Sequence, residues 1–360
     1  MKFNFKPELL NIERKRAGSP NRLTSGDLYL DRNERAQPFA PEVMAELGER
    51  IAGLRINQYP ELEPFYDKVA AWAGAPRECL FITEGVSGAV KSLLEAFAPK
   101  GSDVVFPSPT FALYPVYCRM FGAQPVTVGY TDGYELDLDA LRGAIGPQTS
   151  MVFLPNPNVP IEGYIGIEQI ADLARHCESH DAILVVDEVY HMFGGDSAFG
   201  LVDAHPNVMI MRSFSKGFGL PSVRIGYVIG PADLIDYLAR VRTGYETSMI
   251  AAEVVDFFLE RQDLVRAYIA EVKEGLAYLR DALAERGIHA NGGRTGNFVY
   301  ADLGSAARAQ SLVAELKRHG VHIRGGWPQP YDGGVAISGA PKVLMQRLLD
   351  AWDRVEGKSA

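Results

Sequence analysis

Cysteine is scarce in this chain: only Cys79, Cys118 and Cys177 occur in 360 residues. Their odd number and wide spacing exclude a disulfide framework and any spaced zinc pattern, so no metal site is expected. All three read as packing residues of a protein in a reducing compartment. Long hydrophobic runs are missing too, and none approaches the roughly 20 residues that span a bilayer. The opening MKFNFKPELLNIERKR mixes charged and apolar residues without the apolar stretch of a secretion signal. A cytoplasmic protein with no membrane partner is expected. Positive charge is also in deficit, with 36 Lys and Arg against 45 Asp and Glu, a formal net charge of −9. That balance argues against nucleic acid as a partner, although a local cluster can still bind a small anion. Repeats and low-complexity tracts are absent.

The remaining composition is that of an ordinary globular protein, 47% hydrophobic and 22% charged. The length favours two domains. Short segments rich in β-branched or aromatic residues, apolar on both faces, occur at Cys79–Thr83, Asp103–Phe106, Gln124–Val128, Met151–Leu154, Ala182–Val186, Val208–Met211 and Ile225–Ile229. They read as buried, largely parallel strands. Helical patterns alternate with them, clearest over Val86–Ala98, where Val86, Ala89, Val90, Leu93, Leu94 and Phe97 share one face. A second such pattern runs over Gly166–Ser179. This is an α/β domain with helices on both faces of a sheet. After Gly244 the pattern changes to a long helix over Ser248–Arg286, broken near Arg261–Asp263. Strands at Phe298–Asp302, Val321–Arg324 and Gly334–Ser338 and helices at Ser305–His319 and Pro341–Val355 complete a smaller α+β domain. The expected division is an N-terminal arm over 1–48 that joins the small domain, a large domain over 49–244, and the small domain over 245–360.

Ligands of open α/β sheets bind at the carboxyl ends of the strands, and four groups of residues stand there. Lys216 lies among small residues in Ser213-Phe-Ser-Lys216-Gly-Phe-Gly, with Arg224 beginning the next strand. Alone, this reads equally well as a surface loop with an incidental lysine. Asp187 ends the apolar run Ile183–Val186, with Tyr190 one turn on. It is either a turn-starting Asp or a buried anion that keeps a ring nitrogen protonated. Thr83-Glu-Gly85-Val86-Ser87 is a strand, a glycine turn and a helix start, a ready anion site but a common one. Phe111 follows a strand and a proline turn, and is either a platform for a flat ring or a core residue. Together they suit a cofactor that has a phosphate, a ring with a basic nitrogen and an aldehyde.

These motifs, with Asp31-Arg-Asn33-Glu34, Asn57-Gln-Tyr59-Pro60, Asn156-Pro-Asn158, Asn297-Phe298 and the C-terminal region, extend over nearly the whole chain. On them the chain resembles fold-type I pyridoxal-phosphate enzymes, in the histidinol-phosphate aminotransferase-like branch of the class I/II aminotransferases. The resemblance implies a large domain built on a mostly parallel seven-stranded sheet, with pyridoxal 5'-phosphate as cofactor. It implies that Lys216 forms the Schiff base and shuttles the proton, that Asp187 pairs with the ring nitrogen and that Tyr190 bonds the ring hydroxyl. Gly85, Val86, Ser87, Ser213 and Arg224 would hold the phosphate, Phe111 would stack on the ring, and Tyr59 would reach over from a second subunit of a homodimer. Arg324, Arg22 and Asn33 would contact substrate.

Two departures from the family pattern stand out. Val159 occupies the position of an Asn that donates to the ring hydroxyl, with Asn158 or Tyr190 left to serve. Ala336 in Gly334-Val-Ala336-Ile-Ser338 occupies the position of an anion-gripping Arg. Glu84, Glu246 and Trp327 are further candidates for the pocket wall, and Gly325-Gly-Trp327-Pro reads as a solvent turn rather than a gate. The expected activity is transamination of an amino acid or related primary amine in specialised biosynthesis. The alternative is elimination, cyclisation, decarboxylation or oxidation by the same carbanion chemistry. A ligand sensor on this fold would need an added DNA-binding domain and a basic patch, and neither is present in the sequence.

Overall fold

The computed structural model describes residues 6–10, 12, 22 and 26–357, so most of the N-terminal stretch read for a secretion signal lies outside the described residues. In chain order the strands are β1 (Leu28–Leu30), β2 (Leu80–Thr83), β3 (Asp103–Pro107), β4 (Gln124–Val128), β5 (Thr149–Pro155) and β6 (Ile183–Asp187). They continue as β7 (Val208–Ser213), β8 (Gly226–Ile229), β9 (His289–Gly292), β10 (Phe298–Asp302), β11 (Val321–Ile323) and β12 (Gly334–Ser338).

Seven strands form the large sheet in the order β2-β8-β7-β6-β5-β3-β4. Only β8 runs antiparallel to its neighbours. A parallel sheet must be covered on both faces, and alternation along β5 shows how. Met151 and Phe153 pack with Val90, Leu93 and Leu94 of the helix Gly85–Phe97. Val152 and Leu154 face the other way, toward Ile170, Leu173 and Ala174 of the helix Ile167–Glu178. The parallel register aligns Pro155 with Asp187 and Asp187 with Met211. The carboxyl ends of β5, β6 and β7 therefore meet at one edge, and the functional residues stand there.

The smaller α+β part contains the sheet β12-β10-β9, packed against the helices Gln262–Glu285, Ala306–Arg318 and Lys342–Val355. β1 pairs in parallel with β11, Leu28 opposite Val321, so the N-terminal segment is stitched to this part. Along β12 the side chains divide: Val335 and Ile337 enter the small core, while Ala336 and Ser338 lie on the opposite face. The helix read over Ser248–Arg286 is two, Met249–Glu260 and Gln262–Glu285, parted at Arg261. Cys118 and Cys177 are buried, Cys79 is half-buried, and all three are free thiols. No helix among the described residues is long and apolar enough to cross a membrane.

Candidate active site

A cavity of about 330 Å³ opens at the carboxyl edge of the large sheet and is closed on its far side by the smaller part. Asp187 forms its floor. The carboxylate is buried, accepts the Tyr114 hydroxyl at 2.6 Å on Oδ2 and accepts the Val189 N–H at 3.1 Å on Oδ1. Among the described residues no cation pairs with it. Burial pushes its carboxyl up to about 6, against the two hydrogen bonds that favour the charged form.

Lys216 enters from the loop after β7, and its Nζ donates to the Arg32 carbonyl at 2.8 Å. Among the described residues it has no ion-pair partner. Burial lowers its ammonium to about 8, Glu34 works against that shift, and Arg224 and Arg324 reinforce it. Tyr190 accepts a hydrogen bond from Asn33 Nδ2 at 2.8 Å, which leaves its own proton to donate elsewhere. Burial raises the Tyr190 hydroxyl, so it stays neutral.

Gly85, at φ 67°, turns β2 into the helix Gly85–Phe97. The positive φ favours glycine there, and a Cβ would stand 2.8 Å from Arg224 Nη2 and push the guanidinium aside. Arg224 donates to Ser87 Oγ at 3.0 Å and to the Glu84 carbonyl at 3.3 Å. Ser213 Oγ lies within 2.9 Å of Ser215 Oγ. Val86, Ser87, Ser213, Ser215 and Arg224 thus bring hydroxyls and a guanidinium to the helix N-terminus, an arrangement suited to a phosphate.

The cavity wall gathers most of the residues named from the sequence: Asn33, Val86, Ser87, Phe111, Asn158, Asp187, Tyr190, Ser213, Lys216, Arg224 and Arg324. Two lie elsewhere. Arg22 is outside the wall, committed to Asp31 at 2.9 Å and Glu34 at 2.6 Å. Tyr59 is 75% exposed and stacks on Tyr245, away from its own chain's cavity. Asn158 is in the wall, but its amide donates to the Pro109 carbonyl and to Tyr130 Oη, and its oxygen accepts from Thr110. Both amide donors are therefore taken within the protein. Glu84 and Glu246 line a second opening behind Arg224, of about 470 Å³.

Trp327 is not in a solvent turn. It is buried in the wall, and the Arg324 guanidinium lies over its ring at 4.3 Å. Sequence reasoning gave no site role to Asp31, Arg32 and Glu34, quoted only as a family motif, or to Tyr114. Tyr114 sits one helical turn beyond Phe111, a spacing that could have suggested a role beside it.

Residues 22–349 match the family described as aminotransferase class I and II. The chain belongs to that family. An aromatic amino acid aminotransferase of Corynebacterium diphtheriae is 30% identical over 343 residues, 93% of this chain and 95% of that one. A histidinol-phosphate aminotransferase of Paracoccus denitrificans is 30% identical over 291 residues, covering 80% of this chain and 78% of that one. Among solved structures, the histidinol-phosphate aminotransferase from Sinorhizobium meliloti in complex with pyridoxal-5'-phosphate superposes with a TM-score of 0.88 at 24% identity. That superposition covers 99% of this chain and 98% of the other, a likeness of fold. Against the family pattern, Val159 packs beside the apolar core of the smaller part, and Ala336 stands in the cavity wall.

Proposed function

We propose that the protein is a pyridoxal-5'-phosphate-dependent aminotransferase acting on an amino acid or related primary amine in specialised biosynthesis. The observation that carries this reading is Asp187, a buried carboxylate without a cation among the described residues, in the same cavity as the half-buried Lys216 of lowered basicity. A buried carboxylate costs several kcal/mol unless it is paired. A protonated ring nitrogen supplies that pair, and the neutral amine of Lys216 suits the aldehyde. The turn at Gly85, whose positive φ favours glycine and against which Arg224 lies, suits the phosphate. The residues fit the cofactor.

In this reading Ser87, Ser213, Arg224 and the Val86 N–H hold the phosphate. Phe111 would serve as the platform for the ring, Tyr190 would donate to its hydroxyl, and Asn158 braces the Pro109 turn. Bound pyridoxal phosphate supplies an aldehyde that captures the substrate amine and a ring that stores an electron pair. Asp187 keeps the ring nitrogen charged and so deepens that store. The Lys216 amine would take the proton from the substrate carbon at Nζ and hand it back from the same atom. Arg324, the wall's uncommitted guanidinium, holds the anionic group of the substrate.

The active unit in this proposal is a homodimer in which Tyr59 of each chain reaches the phosphate end of the other. Exposed Met44, Ile56, Tyr59, Tyr245 and Ile250 and the opening behind Arg224 support that arrangement. The free cysteines support a cytoplasmic location.

Mixing the cofactor-loaded protein with a panel of amines, while following the cofactor by absorbance and mass, tests the reaction. Conversion to pyridoxamine phosphate with a matching keto product is expected. Return of unchanged cofactor together with an eliminated, cyclised, decarboxylated or oxidised product would replace transamination by the alternative chemistry.

A further inference from the structure

We infer that the pocket selects an amino acid with a single carboxylate and an apolar side chain, and that Ala336 is the residue that sets this preference. The inference rests on the aminotransferase reading and gives its substrate class. The first argument is the charge inventory at the end of the cavity away from Asp187. Asp31 is taken by Arg22 at 2.9 Å, with Arg32 at 3.8 Å, and Glu34 is taken by Arg22 at 2.6 Å. Arg324 differs. Its guanidinium has no hydrogen-bond or ion-pair partner among the described residues, and the Trp327 ring fixes its plane from one side. One uncommitted positive charge matches one negative group.

The second argument is what lies beside it. Ala336 is joined to Arg324 by a pair of backbone hydrogen bonds, of 3.0 and 2.7 Å. It stands opposite Tyr300 in the β10–β12 register. Around it pack Ile161, Tyr300, Trp327 and Tyr331, with Tyr130 and Tyr134 at the edge. Two of their hydroxyls are engaged as donors, Tyr300 to the Tyr331 carbonyl at 2.7 Å and Tyr134 to Asp302 at 2.7 Å, while Tyr130 accepts from Asn158. The Trp327 Nε1 donor is buried without a partner among the described residues, and it carries no charge. The hydroxyls of Tyr130, Tyr134 and Tyr300 are raised by burial and remain neutral. A second anionic group placed over Ala336 would leave water and meet no positive charge beyond the engaged Arg324, whereas an apolar group loses nothing there.

The test uses the cofactor-loaded protein with L-phenylalanine, L-leucine, L-glutamate and phenethylamine, read as single-turnover kcat/KM. A separate calorimetric titration with 3-phenylpropanoate and glutarate needs no turnover. Phenylalanine or leucine should exceed glutamate and phenethylamine by about 10- to 100-fold, the usual worth of a charge-assisted hydrogen bond made or missed. Ala336→Arg should move the phenylalanine-to-glutamate ratio by about tenfold or more toward glutamate. Arg324→Gln should slow phenylalanine by a larger factor than phenethylamine, and an unchanged melting temperature shows that the variant is folded. Glutamate equal to phenylalanine in the unaltered protein, or an unmoved ratio in Ala336→Arg, would overturn the inference. If no amine converts the cofactor but 3-phenylpropanoate still outbinds glutarate, the reaction fails and the pocket preference stands. If amines react and glutamate leads, the preference fails and the reaction stands.

Discussion

The two ends of the cavity are built on different principles. At the Asp187 end nearly every polar group is held by a neighbour: Asp187 by Tyr114 and Val189, Tyr190 by Asn33, Arg224 by Ser87 and Glu84. At the Ala336 end most groups are apolar and a single guanidinium, that of Arg324, is uncommitted. A preorganised end suits a group that is present in every turnover, because the cost of ordering its contacts is met once, during folding. The sparser end suits a ligand that must come and go, and there one residue can decide what is accepted. Damage to the first end should therefore stop the reaction for all substrates, while changes at the second should re-rank them.

Lys216→Ala is the sharpest test of that contrast. Removing the amine should lower turnover by about 10⁴-fold for every amine, with no change in their order. A variant that lost one amine and kept another would mean that Lys216 belongs to the selective end. The pH behaviour of the same amine gives a second check. With its ammonium lowered to about 8, recovery of the cofactor-free protein by pyridoxal phosphate should quicken about tenfold per unit below pH 8 and level off above it. A plateau reached only beyond pH 10 would show that burial does not act on this lysine.

Asp187→Asn comes next, with an expected loss of about 10²- to 10³-fold in turnover across substrates. Its effect on stability has a definite sign. The carboxyl is raised in the folded chain from 3.8 to about 6, so between those values the folded state holds a proton that the unfolded state has released. Stability of the cofactor-free protein should be full below pH 4 and fall as pH rises through 6, by about 3 kcal/mol in total from this group. Thermal melts of the variant should lack that component. In the cofactor-loaded protein the paired carboxylate should remove it as well. A melt that grows more stable from pH 4 to 6 through Asp187 would contradict its cation-free environment.

The same contrast explains what the sequence made legible. Asp187 and Lys216 could be found because one ends β6 and the other closely follows β7, whose parallel register brings their ends to one edge. Arg224 could be found because it precedes the antiparallel β8, which starts at that same edge. Gly85 was readable because a glycine between an apolar strand and an apolar-faced helix marks a turn with positive φ. The far wall was not legible in this way. Asp31 to Glu34, Arg324 to Trp327 and Ala336 come from three distant segments, joined by the β1–β11 pairing and the Arg324–Ala336 bridge. Such non-local pairings leave no periodic mark in the sequence. Trp327 read as part of a solvent turn because two glycines and a proline flank it, and only tertiary packing with Tyr300 and Tyr331 buries it. Arg22 could be named as a cation, but nothing in the sequence shows that Asp31 and Glu34 already hold it.

The smallest effect is expected where the two ends join, at Asn33. Its Nδ2 donates to Tyr190, its N–H donates to Ser338 Oγ at 2.7 Å, and its carbonyl accepts from Asn297. It therefore ties β12 and the smaller part to the cofactor end. It does so at φ 54°, a conformation that asparagine tolerates and alanine resists by about 1 kcal/mol. Asn33→Gly and Asn33→Ala both remove the hydrogen bond to Tyr190, but only the alanine adds strain. Both should lower kcat by a similar factor of about 10, with KM for apolar amines little changed, because the lost contact acts on Tyr190 rather than on Arg324. Their melting temperatures should differ, with glycine the more stable. Equal kcat with unequal stability would place Asn33 as a positioning residue of the cofactor end. A raised KM with unchanged kcat would move it to the substrate end and blur the division between the two.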